Sequence, residues 1–319
     1  MELVNRTGVQ EFILVGFAVG QQERFLLLIF FAVLYVVTLA ENLTIITLVV
    51  LDTHLSRLPM YILLSNFSWL EICYVTTTVP RMLFDMASPY GIISFNSCFL
   101  QFYLFFSFGN TECLFLSTMA LDRYLAICHP LRYPQIMSRN FCYVLVATGW
   151  VIGCLWHIIP VVLISRLSFC GPNIIDHFLC DPVPILSQAC PPLGIAPIVY
   201  KTFMNAVVIG NVSFVVLSYS VVTFTLLKAS NQGNRRKASS TISLHLVVVT
   251  LFYGSVAEMY LTPGGEKQSE VTKAVTLFYT AVTPFLNPLI YCLRNNQVKE
   301  ALGRLLKKRE RLQRRTMTV

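Results

Sequence analysis

Seven long apolar runs dominate this chain, roughly Phe25–Leu51, Pro59–Phe84, Cys98–Tyr124, Phe141–Ile164, Ile195–Leu227, Thr241–Leu261 and Thr272–Leu293. Each is long enough for the ~20 residues that a membrane-spanning helix needs. Hydrocarbon offers the backbone no water, so a spanning run must satisfy its own N–H and C=O groups, which a helix does. The expected fold class is an all-α membrane protein, a seven-transmembrane helix bundle. Composition agrees: 55% of the residues are hydrophobic and 13% are charged, against about a quarter charged in a soluble domain.

The formal net charge of +8 could suggest nucleic acid, but its distribution points to membrane topology. Seventeen of the 24 lysines and arginines fall on one side of the seven runs: Arg57, Arg123, Arg132 and Arg139, then Lys228, Arg235, Arg236 and Lys237, and nine in the tail from Arg294 to Arg315. The positive-inside rule then places the N-terminus outside and the tail inside. The expected organisation is an extracellular segment 1–24, a bundle 25–293 with a long outer loop at about 165–195, and a basic cytoplasmic tail 294–319. The tail suits a short amphipathic helix on anionic lipid, with Leu302, Leu305 and Leu306 on its buried side. The apolar patch Phe12–Phe17 is too short and too late for a cleavable signal peptide, so the first span serves as the insertion signal. Asn5-Arg6-Thr7 is a glycosylation sequon on the outer side; the sequons at Asn42, Asn66 and Asn211 lie inside spans.

Four of the ten cysteines, Cys98, Cys170, Cys180 and Cys190, fall on the outer, oxidising side and can form two disulfides. Their connectivity does not follow from spacing. A metal site built from Cys170, His177, Cys180 and Cys190 is the weaker alternative. Glu71 and Glu112 are carboxylates inside spans, where an unpaired charge costs perhaps ~3 kcal/mol on insertion scales. Paired carboxylates also serve glycosidases, but no substrate cleft is implied at mid-membrane, and no enzyme is expected. The adjacent acid and base Asp122-Arg123 close the third run where it meets the cytoplasm. Ionisable residues at that boundary suggest function unless they merely anchor a helix end.

Several motifs occur in order along the chain: Pro59-Met60-Tyr61-Ile62-Leu63-Leu64-Ser65-Asn66, Met119–Tyr133, Lys237-Ala238-Ser239-Ser240-Thr241, His245–Val249, Phe252-Tyr253-Gly254 and Pro284–Asn295. Together they resemble the vertebrate olfactory (odorant) receptors, within the rhodopsin-like G-protein-coupled receptors, over essentially the whole chain. Leu121 stands where that family usually has Tyr, Glu41 where it has Gly, and Ser239, Ile242 and Leu244 where it has Phe, Cys and Ser. The last three cluster at the inner end of span six and bear on basal activity or coupling.

The resemblance implies roles. Asp122, Arg123 and Tyr124 would form the activation switch, with Arg123 held by Asp122 until activation. Tyr219, His245, Asn287, Pro288 and Tyr291 would join it, Pro288 kinking span seven while Asn287 takes up freed backbone groups. Asn42, Glu71, Glu112 and Asn287 would line a polar cavity able to hold sodium and water; otherwise no cofactor is implied. The implied ligand set is Phe105, Phe106, Gly109, Asn110, Phe203, Met204, Val207, Tyr253, Val256, Tyr260 and Thr280, which suits a small, mostly apolar molecule held by one or two polar contacts. Phe105 occupies the place where amine receptors carry a carboxylate, which disfavours a protonated amine, although Glu258 complicates that. The disulfides expected on the same basis are Cys98–Cys180 and Cys170–Cys190.

The function expected from the resemblance is an odorant receptor of the plasma membrane and sensory cilia. A small volatile odorant would enter from outside, and a stimulatory, olfactory-type heterotrimeric G protein would raise cyclic AMP. Trafficking chaperones and membrane lipid are the other expected partners, and nucleic acid is not. A metabolite-sensing receptor of the same family is the near alternative. An ion-coupled transporter using Glu71 and Glu112 is the distant one, since no internal repeat accompanies the odd span count.

Overall fold

The computed structural model describes residues 8–88, 91–228, 243, 246–255, 266–293 and 297–304. Its long helices are α1 (Gln21–Leu51), α2 (Pro59–Ala87), α3 (Phe95–Cys128), α5 (Arg139–Trp156) continued by α6 (Ile158–Ser165), and α8 (Ala196–Lys228). Shorter ones are α4 (Tyr133–Ile136), α7 (Pro182–Ser187), α9 (Leu246–Ser255), α10 (Glu266–Leu277), α11 (Thr283–Leu293) and α12 (297–304). Among the described residues, four helical stretches are long and apolar enough to cross a membrane: Gln21–Leu51, Phe95–Cys128, Arg139–Ser165 and Ala196–Lys228.

Local chemistry sets the helix starts. Pro59 opens α2 at a position where its missing N–H costs nothing. Ser94 and Ser138 cap α3 and α5, each hydroxyl accepting the N–H three residues on, from Ser97 and Phe141 at 3.3 Å. The α5–α6 break falls at His157, because Pro160 has no N–H to give to the carbonyl of Trp156.

α3 is the central helix: its most apolar window is 61% buried, against 17% for α1. It packs on α2, α5, α6 and α8, while α1 packs on α2 and α11. Phe25, Ile29, Val33 and Val36 of α1 and Val216, Leu217, Phe224 and Leu227 of α8 point outward and are exposed. Apolar side chains on the outer face and polar ones at the centre reverse the soluble pattern and match a helix bundle in lipid. Gly149 and Gly153 bring α5 close to α3. A Cβ at Gly153 would lie 1.9 Å from Thr111 Oγ1 and 3.1 Å from the Thr111 Cα.

The expectation of an all-α chain needs one correction. A three-stranded sheet in the order β2-β1-β3 joins β1 (Glu11–Leu14), β2 (Gly91–Ser94) and β3 (Ile174–Ile175). β1 runs antiparallel to β2, Phe12 opposite Ile93, and parallel to β3, Ile13 opposite Ile174. The patch Phe12–Phe17 supplies this strand: Phe12 and Leu14 are buried while Glu11 and Ile13 face out, the period-two pattern of a half-buried strand. Phe12 stacks on Phe95 at 5.9 Å and meets Phe169 edge-on at 5.7 Å, so the sheet sits on the start of α3.

Candidate functional site

Helices α2, α3, α8 and α9, the α5–α6 junction and the π-helical turn Phe278–Val282 enclose a cavity of about 40 Å³. Its wall is Tyr74, Phe105, Phe106, Gly109, Asn110, Cys113, His157, Met204, Val207, Val208, Phe252 and Tyr279. The volume holds a few waters and lies far below the ~300–1,000 Å³ of a drug-sized pocket. An occupant is therefore compact, or the walls give. Among the described residues, no charged side chain belongs to the wall.

Six of the residues expected to bind ligand meet on this wall: Phe105, Phe106, Gly109, Asn110, Met204 and Val207. Three do not. Phe203 packs on Trp156, ring centroids 5.2 Å apart, and its carbonyl accepts the indole N–H at 3.2 Å. Tyr253 lies beside Phe252 in a T-shaped contact at 5.1 Å. Thr280 is buried with its hydroxyl donated back to Thr276 O at 2.7 Å. Val256 and Tyr260, with Glu258, lie outside the described residues. The wall also includes Tyr74, His157 and Tyr279, which no motif pointed to. Tyr74 stacks on Phe105 at 5.2 Å, the π-helical turn carries Tyr279, and the Pro160 break carries His157. Pro160 is the one sequence signal that could have drawn attention to the last.

At the other end of α3, Asp122 is 1% exposed. One carboxylate oxygen pairs with the Arg123 guanidinium and the other accepts the Tyr133 hydroxyl at 2.7 Å. Burial and the adjacent Asp122 carboxylate push the Tyr133 hydroxyl far above its ordinary range, so it stays a donor. Tyr133 thus joins the Asp122–Arg123 cluster, placed there by the tight turn after Pro130. Tyr219 on α8 is buried and within electrostatic reach of the pair. Tyr124 turns away, its hydroxyl 3.2 Å from His129 Nε2. His245, Ser239, Ile242, Leu244, Leu305, Leu306 and Asn5 lie outside the described residues, as does the Tyr291 side chain.

Between the cavity and the inner pair lies a polar layer. The Asn287 amide donates to Glu71 Oε1. Pro288 leaves the carbonyl of Pro284 without its helical donor, and Asn42 Nδ2, not Asn287, reaches that oxygen at 3.4 Å. Glu112 is buried within electrostatic reach of Glu71. Asn42 Oδ1, Glu71 Oε2, Glu112 Oε1 and Asn287 Oδ1 are all buried with no protein partner.

At the end of the bundle that carries the N-terminal strand, Cys98 pairs with Cys180 and Cys170 with Cys190, at Cα separations of 5.4 and 5.2 Å. With those thiols bonded to each other, the alternative metal site loses its sulfur ligands. Lys273 of α10 ties the loop down, its Nζ 2.5 Å from Asp176 and 2.7 Å from Glu270. At the opposite end, Arg304 of α12 gives two hydrogen bonds to Asp52 Oδ2, at 3.0 and 2.8 Å. Those bonds, with the N–H groups of Leu55 and His54, hold the Asp52 carboxyl below its usual range against the opposing effect of burial. Val298 and Ala301 of α12 are buried on the bundle; Leu302 faces out.

Apolar helices around a small cavity, with a buried acid–base pair at the end of the central helix, suit a helical membrane protein. Residues 31–309 match the family model described as "Olfactory receptor". The chain is 52% identical over 291 residues to olfactory receptor 11G2 of Homo sapiens, covering 91% of this chain and 84% of that relative. It is 49% identical over 298 residues to human olfactory receptor 11H6 (93% and 90% covered) and 43% identical over 305 residues to human olfactory receptor 6B1 (96% and 97%). The chain belongs to the olfactory receptor family: it is a multi-pass membrane receptor of the G-protein-coupled class, and not an enzyme.

Proposed function

We propose that this receptor spans the plasma membrane of sensory cilia seven times with its N-terminus outside, binds a small, mostly apolar odorant in the α3-centred cavity, and activates a stimulatory G protein to raise cyclic AMP. The observation that carries this reading is that one helix bears both ends of the device. Asn110 on the cavity wall and Arg123 at the inner pair are thirteen residues apart on α3, about 20 Å at 1.5 Å per residue. A ligand that shifts α3 against α2, α8 and the π-helical turn therefore acts mechanically on the pair. Arg123 released from Asp122 would then line the surface offered to the G protein.

The test is cyclic AMP readout, with surface level measured in parallel, in cells carrying the receptor, trafficking chaperones and a stimulatory G protein, across a varied odorant panel. Arg123→Ala is expected to abolish agonist responses while surface level is kept. Uptake of a compound with no G-protein signal would sink the reading in favour of a transporter.

The four unpartnered buried oxygens of Asn42, Glu71, Glu112 and Asn287 support a sodium ion or water in the polar layer. Replacing external sodium by choline should then raise basal cyclic AMP in the native receptor and leave Glu71→Ala indifferent. An equal change in both would leave water as the occupant.

A further inference from the structure

Two polar side chains on the cavity wall are more than nine-tenths buried and each leaves one ring or amide nitrogen without a partner: Asn110 Nδ2 and His157 Nδ1. The other imidazole nitrogen, Nε2, lies 3.4 Å from Met204 Sδ. A thioether sulfur has no proton and can only accept, so the imidazole proton belongs on Nε2. In a neutral ring that leaves Nδ1 as an acceptor. The cavity wall thus presents one unused donor, Asn110 Nδ2–H, and one unused acceptor, His157 Nδ1, among the rings of Phe105, Phe106 and Tyr279.

We infer that His157 determines ligand specificity and that the receptor prefers compact neutral alcohols. A hydroxyl is the small neutral group that satisfies both atoms at once: its proton goes to His157 Nδ1 and a lone pair accepts from Asn110 Nδ2. A ketone or ether of the same skeleton accepts from Asn110 but leaves Nδ1 buried and unpaired, and a hydrocarbon leaves both. Unpaired buried groups are what make such a site reject analogues lacking the hydroxyl. Among the described residues, an ammonium or carboxylate finds no countercharge on the wall. The inference rests on the cavity being the agonist site.

The test uses matched quartets of alcohol, ketone or aldehyde, methyl ether and hydrocarbon on hexyl, cyclohexyl, benzyl and monoterpene skeletons, read as cyclic AMP potency. In the active skeletons the alcohol is expected to be at least roughly tenfold more potent than its carbonyl partner. His157→Leu should close the gap from both sides, lowering the alcohol and raising the carbonyl compound, which no longer strands a buried acceptor. His157→Asn, whose amide reaches the place of Nδ1, should keep the alcohol preference. Equal potency of alcohol and ketone, or an equal loss of both in His157→Leu, overturns the inference. So does a set of quartets with no active member. The receptor reading is judged separately, by whether any odorant of the wider panel signals through Arg123.

Discussion

Asp122 divides its two oxygens between Arg123 and Tyr133, and that division sets how firmly the inner pair is held. A buried carboxylate is tolerable only when both oxygens are engaged, since a buried ion pair gains little beyond its desolvation cost. The family motif identifies Asp122 and Arg123; Tyr133 is a residue of the following turn whose role depends on that turn folding back. Tyr133→Phe removes one hydrogen bond of about 1 kcal/mol, a roughly fivefold shift in an equilibrium. If the pair restrains signalling, basal cyclic AMP per surface receptor should rise by about that factor. Agonist potency in the panel should rise with it. Unchanged basal signalling with reduced surface level would assign Tyr133 a purely structural part.

At the scale of elements, small residues and helix breaks decide which side chains meet. The close approach of α5 to α3 depends on Gly149 and Gly153, where an added Cβ would strike Phe115 at 2.7 Å and Thr111 at 1.9 Å. Relieving such a contact costs ~1–3 kcal/mol. Gly153→Ala should therefore lower the thermal midpoint of the detergent-solubilised receptor. Gly210→Ala on α8, with nothing within 4 Å of an added Cβ, should leave it level or raise it, because alanine is the better helix former. Equal effects at the two glycines would remove the packing argument. The same logic bears on two ligand-set residues that are not on the cavity wall: Phe203 packs on Trp156, and Thr280, on the π-helical turn, donates its hydroxyl back to Thr276 O.

Among the described residues, the end of the bundle that carries the N-terminal strand bears a cap in which that strand, the two disulfides and the Lys273 ion pairs hold the long loop. His177 and Asp181 are buried in that cap along with the Lys273 ammonium. Burial, with the nearby Lys273 charge, pushes His177 down to about 3, and Asp176 opposes only in part. Burial pushes Asp181 up to about 6, against the Val183 N–H it accepts. Between pH 3 and 6.5 an opened His177 binds a proton that the closed cap refuses, so that group loses cap stability as pH falls. Asp181 acts oppositely, the closed form taking up a proton between pH 6 and 3.8, but over a narrower window. The protection factors of amides in residues 170–190, each taken against the intrinsic exchange rate at its own pH, should accordingly fall from about pH 7 to about pH 5, as the wider His177 window prevails. His177→Gln should remove that fall. Protection that rises at low pH would mean Asp181 governs.

Much of this protein is readable along one strand of text. The seven apolar runs, the one-sided charge and the ordered motifs are local, because a helix in hydrocarbon satisfies its backbone within its own segment. Asp122-Arg123 and Pro288 are legible for the same reason. The sheet was less so: Glu11–Leu14 shows the right alternation but needs Gly91–Ser94 and Ile174–Ile175 as neighbours. What only the tertiary structure decides is which groups share a neighbour across the bundle: Asn42 on the Pro284 carbonyl, Tyr133 on Asp122, and His157 on Met204, in one cavity wall with Asn110. Those meetings depend on helix rotation, on the break before Pro160 and on the π-helical turn. A rotation or a one-residue shift moves a side chain from lipid to cavity without changing the hydrophobic pattern that announces the helix.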